Sequence, residues 1–379
     1  MRIFENLNYD FLGKRKLFYI VSITLFVLGF ANIIFRGLQF GIDFKGGSEI
    51  VLQFDKAVEI GQIRNYVENI GLGNVEVKTF GGETGVLIRT ELQEIPASIY
   101  PIVKKNIEQT IESNFPGLQK QIVDTTANSV TYQFSSVDTT NKLVDILNNA
   151  GFQTSKVSAE PDNRQLVVNV GIADWIKQNL KTKMSGNPFT LLREEKIGPK
   201  VGKELKEDAV VAIIFSLIVI LIYLGFRFKF IFAFGAVVAL FHDTLITLGL
   251  YSLLYGVIPG LNLEIDLTIV AAFLTLIGYS INDTVIVFDR VRENMKIHRT
   301  TPLIDVINQS ISKTMSRTIL TGGTTLLTIF VLMIFGGEVL RAFAFTLFFG
   351  IIIGTYSSIF VASALVLEYA NRSKKKVQF

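Results

Sequence analysis

Six runs of mostly apolar residues punctuate this chain, at 17–35, 209–226, 230–255, 267–288, 319–335 and 342–369. A helix needs roughly 20 such residues to cross the hydrocarbon of a bilayer, so the pattern predicts six spanning helices. Between the first run and the second lies a polar stretch of about 170 residues. There the apolar positions fall into short alternating runs and into runs of period 3.6, the signatures of strands and amphipathic helices. The other connections are short.

The polar stretch repeats itself. Residues 50–54 (IVLQF) match 130–134 (VTYQF), eighty positions on. In the same frame 63–71 (IRNYVENIG) match 143–151 (LVDILNNAG), and 86–90 (VLIRT) match 166–170 (LVVNV). Helical periodicity follows each copy, at 99–114 and 172–184. Each copy therefore reads strand, helix, strand, strand, helix. The expected fold is a polytopic α-helical membrane protein with six transmembrane helices and a large α+β domain, 36–208, between the first two. That domain is a duplicated βαββα module at about 40–117 and 118–198.

Charge then orients the chain. The sequence is 379 residues long, 49% hydrophobic and 18% charged, with a formal net charge of +4. The basic residues collect at one set of membrane ends: Lys14, Arg15 and Lys16; Arg227 and Lys229; Arg290, Arg292, Lys296, Arg299, Lys313 and Arg317; Arg372, Lys374, Lys375 and Lys376. The opposite short loops hold Arg341 alone. The positive-inside rule puts both termini (1–16 and the basic tail 370–379) and the loop 289–318 in the cytoplasm, and the large domain outside. The first run is long enough to span and no small-residue cleavage site follows it closely, so it is expected to be retained. The charge placement points to membrane lipid rather than nucleic acid.

Composition narrows the chemistry. There is no cysteine, which excludes disulfides, thiolate metal sites and Cys nucleophiles, and His242 and His298 are the only histidines, too few for a His-rich metal site. Residues 198–204 (GPKVGKE) superficially resemble a phosphate loop, but the spacing is one residue short and Glu204 stands where Ser or Thr would hold magnesium. No nucleophile–base pattern or cofactor motif appears, so an enzyme is not expected. In 41–48 (GIDFKGGS), Asp43, Gly46 and Gly47 read as a structural turn leaving the membrane.

Ionisable residues within a span cost roughly 2.5–3.5 kcal/mol each on insertion scales, so they persist where they pair or where they work. Asp283 stands in the fourth span within Ser280, Ile281, Asn282, Asp283, Thr284. Burial in low dielectric disfavours its charged form, and Ser280, Asn282 and Thr284 are placed to hydrate it or hydrogen-bond it. It is a candidate proton carrier, or a neutral Asp bonded across helices. Arg317, at the start of the fifth span, is either its cationic partner or an interfacial anchor. His242 and Asp243 in the third span lie about 100° apart on a helix, so they are not expected to face one site equally. Cation or proton passage and plain helix packing both remain open for them. Residues 289–293 (DRVRE) read as a solvated helix, and Gly350 with Gly354 as a close-packing face in the sixth span.

These residues carry a resemblance. Residues 40–48 (FGIDFKGGS), 197–205 (IGPKVGKEL), 239–244 (ALFHDT), 277–284 (IGYSINDT), 288–294 (FDRVREN), 316–318 (SRT) and 335–338 (FGGE) resemble the SecF family, the smaller subunits of the bacterial SecDF protein-export complex, itself related to proton-driven RND transporters. The resemblance covers both membrane-proximal ends of the large domain and all six spans. It implies a multi-pass protein of the bacterial inner membrane, and a structural role for Gly198 and Gly202 beside Asp43, Gly46 and Gly47. It implies SecD and the SecYEG channel as partners, with YajC and the exported unfolded polypeptide as further ones. No cofactor is implied; the energy source is the proton-motive force, with Asp283 and Arg317 at the family's proton-transport positions. The family's outer domain is usually one module, so a doubled one is a departure. A small-molecule efflux half and a scaffold that carries no protons are the rival readings.

Overall fold

The computed structural model describes residues 9–373 apart from 127 and 259. Residues 1–8 of the expected N-terminal segment and Lys374, Lys375 and Lys376 of the basic tail lie outside the described residues. In chain order the elements are α1 (Arg15–Arg36), α2 (Ile42–Lys45), β1 (Gly47–Phe54), α3 (Ile60–Glu68), β2 (Val75–Thr79), β3 (Gly85–Thr90) and α4 (Tyr100–Asn114). Then come β4 (Lys120–Thr125), β5 (Ser129–Phe134), α5 (Val137–Ala150), β6 (Gln153–Lys156), β7 (Gln165–Asn169), α6 (Ile172–Lys183) and β8 (Phe189–Ile197). The last are α7 (Pro199–Arg227), α8 (Phe230–Leu254), α9 (Leu267–Ile297), α10 (Leu303–Phe335), α11 (Gly337–Ser357), a π-helical turn (Ser358–Ala362) and α12 (Ser363–Ser373). Two compact units result, Ile42–Glu204 and the remainder.

The inserted unit holds two four-stranded antiparallel sheets, ordered β2-β3-β1-β8 and β6-β7-β5-β4. Their central ladders share a register. Ile50 faces Ile88 and Leu52 faces Val86 in the first; Val130 faces Val168 and Tyr132 faces Leu166 in the second. β4 and β8 were not anticipated. Most of β4 is exposed, and β8 carries Arg193, Glu194, Glu195 and Lys196, so neither shows the alternation of a half-buried strand. One apolar core runs through both sheets. In β1, Ile50, Leu52 and Phe54 join it, together with Ile63 and Val67 of α3 and Leu143 and Leu147 of α5. Trp175 of α6, buried in that core, donates from Nε1 to the carbonyl of Ile70 at 3.1 Å. As the chain's one tryptophan, it reports on the folding of this unit within the intact protein.

Tyr132 is fully buried and its hydroxyl has no hydrogen-bond partner among the described residues. The same burial pushes its phenol pKa up. An unsatisfied buried hydroxyl costs about 1–3 kcal/mol, so Tyr132→Phe is expected to stabilise the unit by about 1 kcal/mol, read as a higher denaturant midpoint of Trp175 emission. An unchanged or lower midpoint contradicts this.

The glycines of the turn after α2 have a geometric reason. Gly46 and Gly47 sit at φ +74° and +115°, which side-chain-bearing residues rarely adopt. A Cβ at Gly47 would stand 2.2 Å from the carbonyl oxygen of Thr90, and one at Gly46 would stand 2.9 Å from Cα of Pro199. Gly202 closes against the same turn, where a Cβ would lie 3.2 Å from both the Asp43 carbonyl and the Gly46 nitrogen. Gly198 has ordinary clearance. From Pro199 onward the stretch 198–204 is the start of α7 rather than a loop. Gly47→Ala is expected to cost at least about 2 kcal/mol in the same assay. Gly73→Ala, at φ +69° with nothing within 4 Å, should cost about 1 kcal/mol or less; equal losses would refute the overlap argument.

Among the described residues, six helices are long and apolar enough to cross a membrane. Two run well past their apolar stretches: α9 continues to Ile297 and α10 starts at Leu303, so the segment 289–318 is almost wholly helical rather than a loop. The extensions pair through buried Asn294, whose Nδ2 donates to Ser310 Oγ at 2.7 Å. α9 opens on a capping Asp266 that accepts from the Ile269 nitrogen at 2.8 Å. The sixth span is not one α-helix. Its π-helical turn inserts where Ser363 Oγ donates to the Ser358 carbonyl, five residues back, at 2.8 Å.

Candidate functional site

Small residues bring four of these helices together. A Cβ on Gly29 of α1 would lie 2.7 Å from Cα of Gly249 of α8, so the two backbones touch. Three residues on, Asn32 Nδ2 donates to Ser252 Oγ at 2.8 Å. Seven residues before Gly29, Ser22 Oγ lies 2.9 Å from His242 Nε2. All three pairings advance in the same direction along both helices, so α1 and α8 run parallel. Gly350 and Gly354 do the same for α11 against α9: added Cβ atoms would stand 2.5 Å from Leu276 Cδ1 and 2.7 Å from Ser280 Oγ.

Where these close approaches meet, polar groups line up inside the span. Asp243 is 1% exposed. Its Oδ2 accepts from Ser280 Oγ at 2.6 Å and from Ser357 Oγ at 2.8 Å, and its Oδ1 lies 3.0 Å from His242 Nδ1. Ser22 Oγ in turn lies 2.5 Å from the Tyr356 hydroxyl, which donates to the Phe18 carbonyl at 2.7 Å. Ser357 is the last residue before the π-helical turn. Such turns recur at functional sites, and this one follows directly on the serine aimed at Asp243.

Asp283, 3% exposed, sits one helical turn beyond Ser280 and accepts from Thr355 Oγ1 at 3.3 Å. It forms no ion pair among the described residues. Arg317 of α10 is exposed and forms no bond to Asp283 among the described residues.

The sequence grouped these residues differently. Ser280 serves Asp243, not Asp283; Asn282 is exposed; Thr284 is buried, with no bond to Asp283 among the described residues. His242 and Asp243 were expected to diverge, yet both join one network. The Asp243 carboxylate turns back onto the ring beside it, a short reach that the 100° step between Cα positions does not forbid. Ser22, Thr355, Tyr356 and Ser357 were missed. A readable signal existed in the run of four hydroxyl residues, Thr355 to Ser358, within an apolar span.

A bundle of six membrane-length helices carrying one inserted α+β unit, with carboxyl groups held inside the bundle by hydroxyls, defines a polytopic transport-type membrane protein. Residues 176–372 match the family described as protein export membrane protein SecD/SecF, C-terminal, and residues 32–58 match the SecD/SecF GG motif. The protein translocase subunit SecF of Rhodothermus marinus is 40% identical over 98% of this chain and 97% of its own. That of Koribacter versatilis is 38% identical over 97% and 93%. The chain belongs to the SecF family of protein translocase subunits. Among solved structures, SecDF of Thermus thermophilus, a translocon-associated membrane protein, superposes with a TM-score of 0.65 at 27% identity over 97% of this chain. SecDF in a super-membrane-facing form gives 0.57 at 30% identity over 98%. The chain spans about two fifths of those SecDF chains, 39% and 40%.

Proposed function

We propose that this chain works with a SecD subunit at the SecYEG channel to draw exported polypeptides across the bacterial inner membrane, driven by protons that pass through Asp283. Both termini lie in the cytoplasm and the inserted unit lies outside. The observation that carries this reading is Asp283: a buried carboxyl in mid-span, held by one long hydroxyl contact and by no ion pair among the described residues. A carboxyl in that setting is costly unless it trades its proton with water. The length of the SecDF chains supports the partner, since the part of them that this chain does not cover is what a second subunit would supply. One charge crossing 100 mV is worth about 2.3 kcal/mol, enough to shift a two-state equilibrium more than tenfold.

The test is export of a secreted reporter in cells depleted of this chain and then resupplied with it. The chain should raise export while the proton gradient stands. It should add nothing once a protonophore collapses the gradient at constant ATP. An equal contribution in both states would make the chain a scaffold. Hypersensitivity of the depleted cells to small toxic compounds, with normal export, would make it half of an efflux pump.

A further inference from the structure

The hydrogen-bond chain on α1, α8 and α11 has a direction, and that direction counts protons. The Tyr356 hydroxyl has one hydrogen, and it is committed to the Phe18 carbonyl, which only accepts. The 2.5 Å contact between Tyr356 and Ser22 therefore takes its hydrogen from Ser22. With that hydrogen spent, Ser22 Oγ must accept from His242, so the hydrogen of that 2.9 Å bond sits on Nε2. Across the ring, Nδ1 and Asp243 Oδ1 are 3.0 Å apart, and one of them must carry a hydrogen. Either His242 is imidazolium facing a carboxylate, or neutral His242 accepts from a protonated Asp243. Both descriptions hold the same number of protons, one more than neutral His242 beside an Asp243 anion. We propose that His242 and Asp243 form a proton-binding pair, loaded in this structure and distinct from Asp283, and that Ser22 and Tyr356 are its proton wire.

Unloading balances along the same atoms. The Nε2 proton passes to Ser22 Oγ, the Ser22 proton to the Tyr356 oxygen, and the Tyr356 proton to water. His242 is left neutral with hydrogen on Nδ1, donating to the Asp243 carboxylate. Ser22 then donates to Nε2 and Tyr356 donates to Ser22. Every bond in the wire reverses, and the Phe18 carbonyl loses Tyr356. The pair goes from neutral to a single negative charge, which Ser280 and Ser357 are already placed to hold at Oδ2. Loading is thereby tied to a contact between α1 and α11. The helices packed around the pair also carry Tyr19 and the Arg15–Glu368 ion pair at 2.9 Å (α1 and α12), Tyr251 (α8), Asp283 and Tyr279 (α9) and Arg317 (α10). Their remaining charged residues are Lys16 and Arg36 of α1, those of α9 from Asp289 onward, Asp305 and Lys313 of α10, Glu338 and Arg341 of α11 and Arg372 of α12.

The pair's role in export rests on the proposed proton-driven reading; its bound proton does not, and the experiment separates the two. With two histidines in the chain, His298→Asn leaves His242 as the only labelled ring in full-length protein carrying 15N-histidine in lipid nanodiscs. At neutral pH the His242 spectrum should show hydrogen on Nε2, and raising the pH should convert it to the neutral Nδ1–H form. A neutral Nδ1–H ring throughout about pH 5 to 8 would overturn the proposal. Tyr356→Phe removes two bonds from the loaded wire and one from the reversed wire. At a fixed pH it should move the ratio of the two forms about fivefold toward Nδ1–H; an unmoved ratio would overturn the wire. Asp283→Asn should leave the His242 spectrum as it is, whatever it does to export. Loss of the Nε2 hydrogen in that variant would show that the two carboxyls form one site and would also overturn the proposal.

Discussion

Replacing Asp283 with Asn is expected to remove the part of export that depends on the proton gradient and to leave the gradient-independent part in place. The substitution keeps the shape of the side chain and retains an oxygen for the Thr355 hydroxyl, so the helices should pack as before. What it removes is the exchangeable proton. If one proton crossing 100 mV supplies about 2.3 kcal/mol, the gradient-driven rate should fall by roughly tenfold or more. Asp283→Glu, which can still carry a proton but places it one methylene further out, should recover a measurable fraction. The measurement is the rate of reporter secretion in cells expressing each variant at matched levels. An Asp283→Asn rate equal to wild type in energised cells would end the proton-carrier reading and leave a scaffold.

Removing Glu49 should be the most damaging single change in the inserted unit. Glu49 is 1% exposed on β1. Its Oε2 accepts from Arg89 Nε at 2.8 Å and Nη2 at 2.5 Å, and its Oε1 accepts from Arg193 Nη2 at 2.5 Å. Arg89 Nη1 reaches on to Glu76 at 3.2 Å. The charges thus run across β2, β3, β1 and β8 on the face of the sheet opposite Ile50 and Leu52. Glu49→Ala takes from the buried Arg89 guanidinium the carboxylate that its Nε and Nη2 both hold. Breaking a buried pair in this way costs about 3–5 kcal/mol, and the loss should appear as an earlier transition in Trp175 fluorescence of the full-length protein in denaturant. The double change Glu49→Leu with Arg89→Met should recover most of that loss, because the buried guanidinium goes with its carboxylate, while Arg193, 33% exposed, keeps Glu195 at 3.6 Å. A double variant no better than Glu49→Ala would show that the sheet needs the charges themselves.

What could be read from the sequence divides along physical lines. Long apolar runs and alternating runs are collective patterns, and the membrane-length helices and the α+β character of the inserted unit followed from them. The edge strands β4 and β8 escaped because a strand exposed on both sides, or built from LREEK, has no hydrophobic face to betray it. Asp283 and the His242–Asp243 pair stood out because a charge in an apolar run is expensive. Ser22 and Tyr356 did not stand out. Hydroxyl groups in a helix can satisfy themselves on the preceding turn, as Thr247 does on the Asp243 carbonyl at 2.8 Å, so their presence alone predicts nothing. Which carboxyl Ser280 would serve depended on how closely α11 approaches α9. That distance is set by Gly350 and Gly354 of α11, some seventy residues along the chain from the Leu276 and Ser280 they pack against.

The strand order also bears on the moment at which each sheet can close as the chain leaves the ribosome. The second sheet draws β4 to β7 from one continuous stretch, Lys120 to Asn169, and can zip as soon as that stretch has emerged. The first sheet pairs β1, which ends at Phe54, with β8, which begins at Phe189. One flank of β1 must therefore wait, unpaired, through the synthesis of the entire second sheet. During that wait Val51 and Leu52 present an open edge to any extended neighbour, and a nascent chain stalled before Phe189 would be the species most exposed to misassembly.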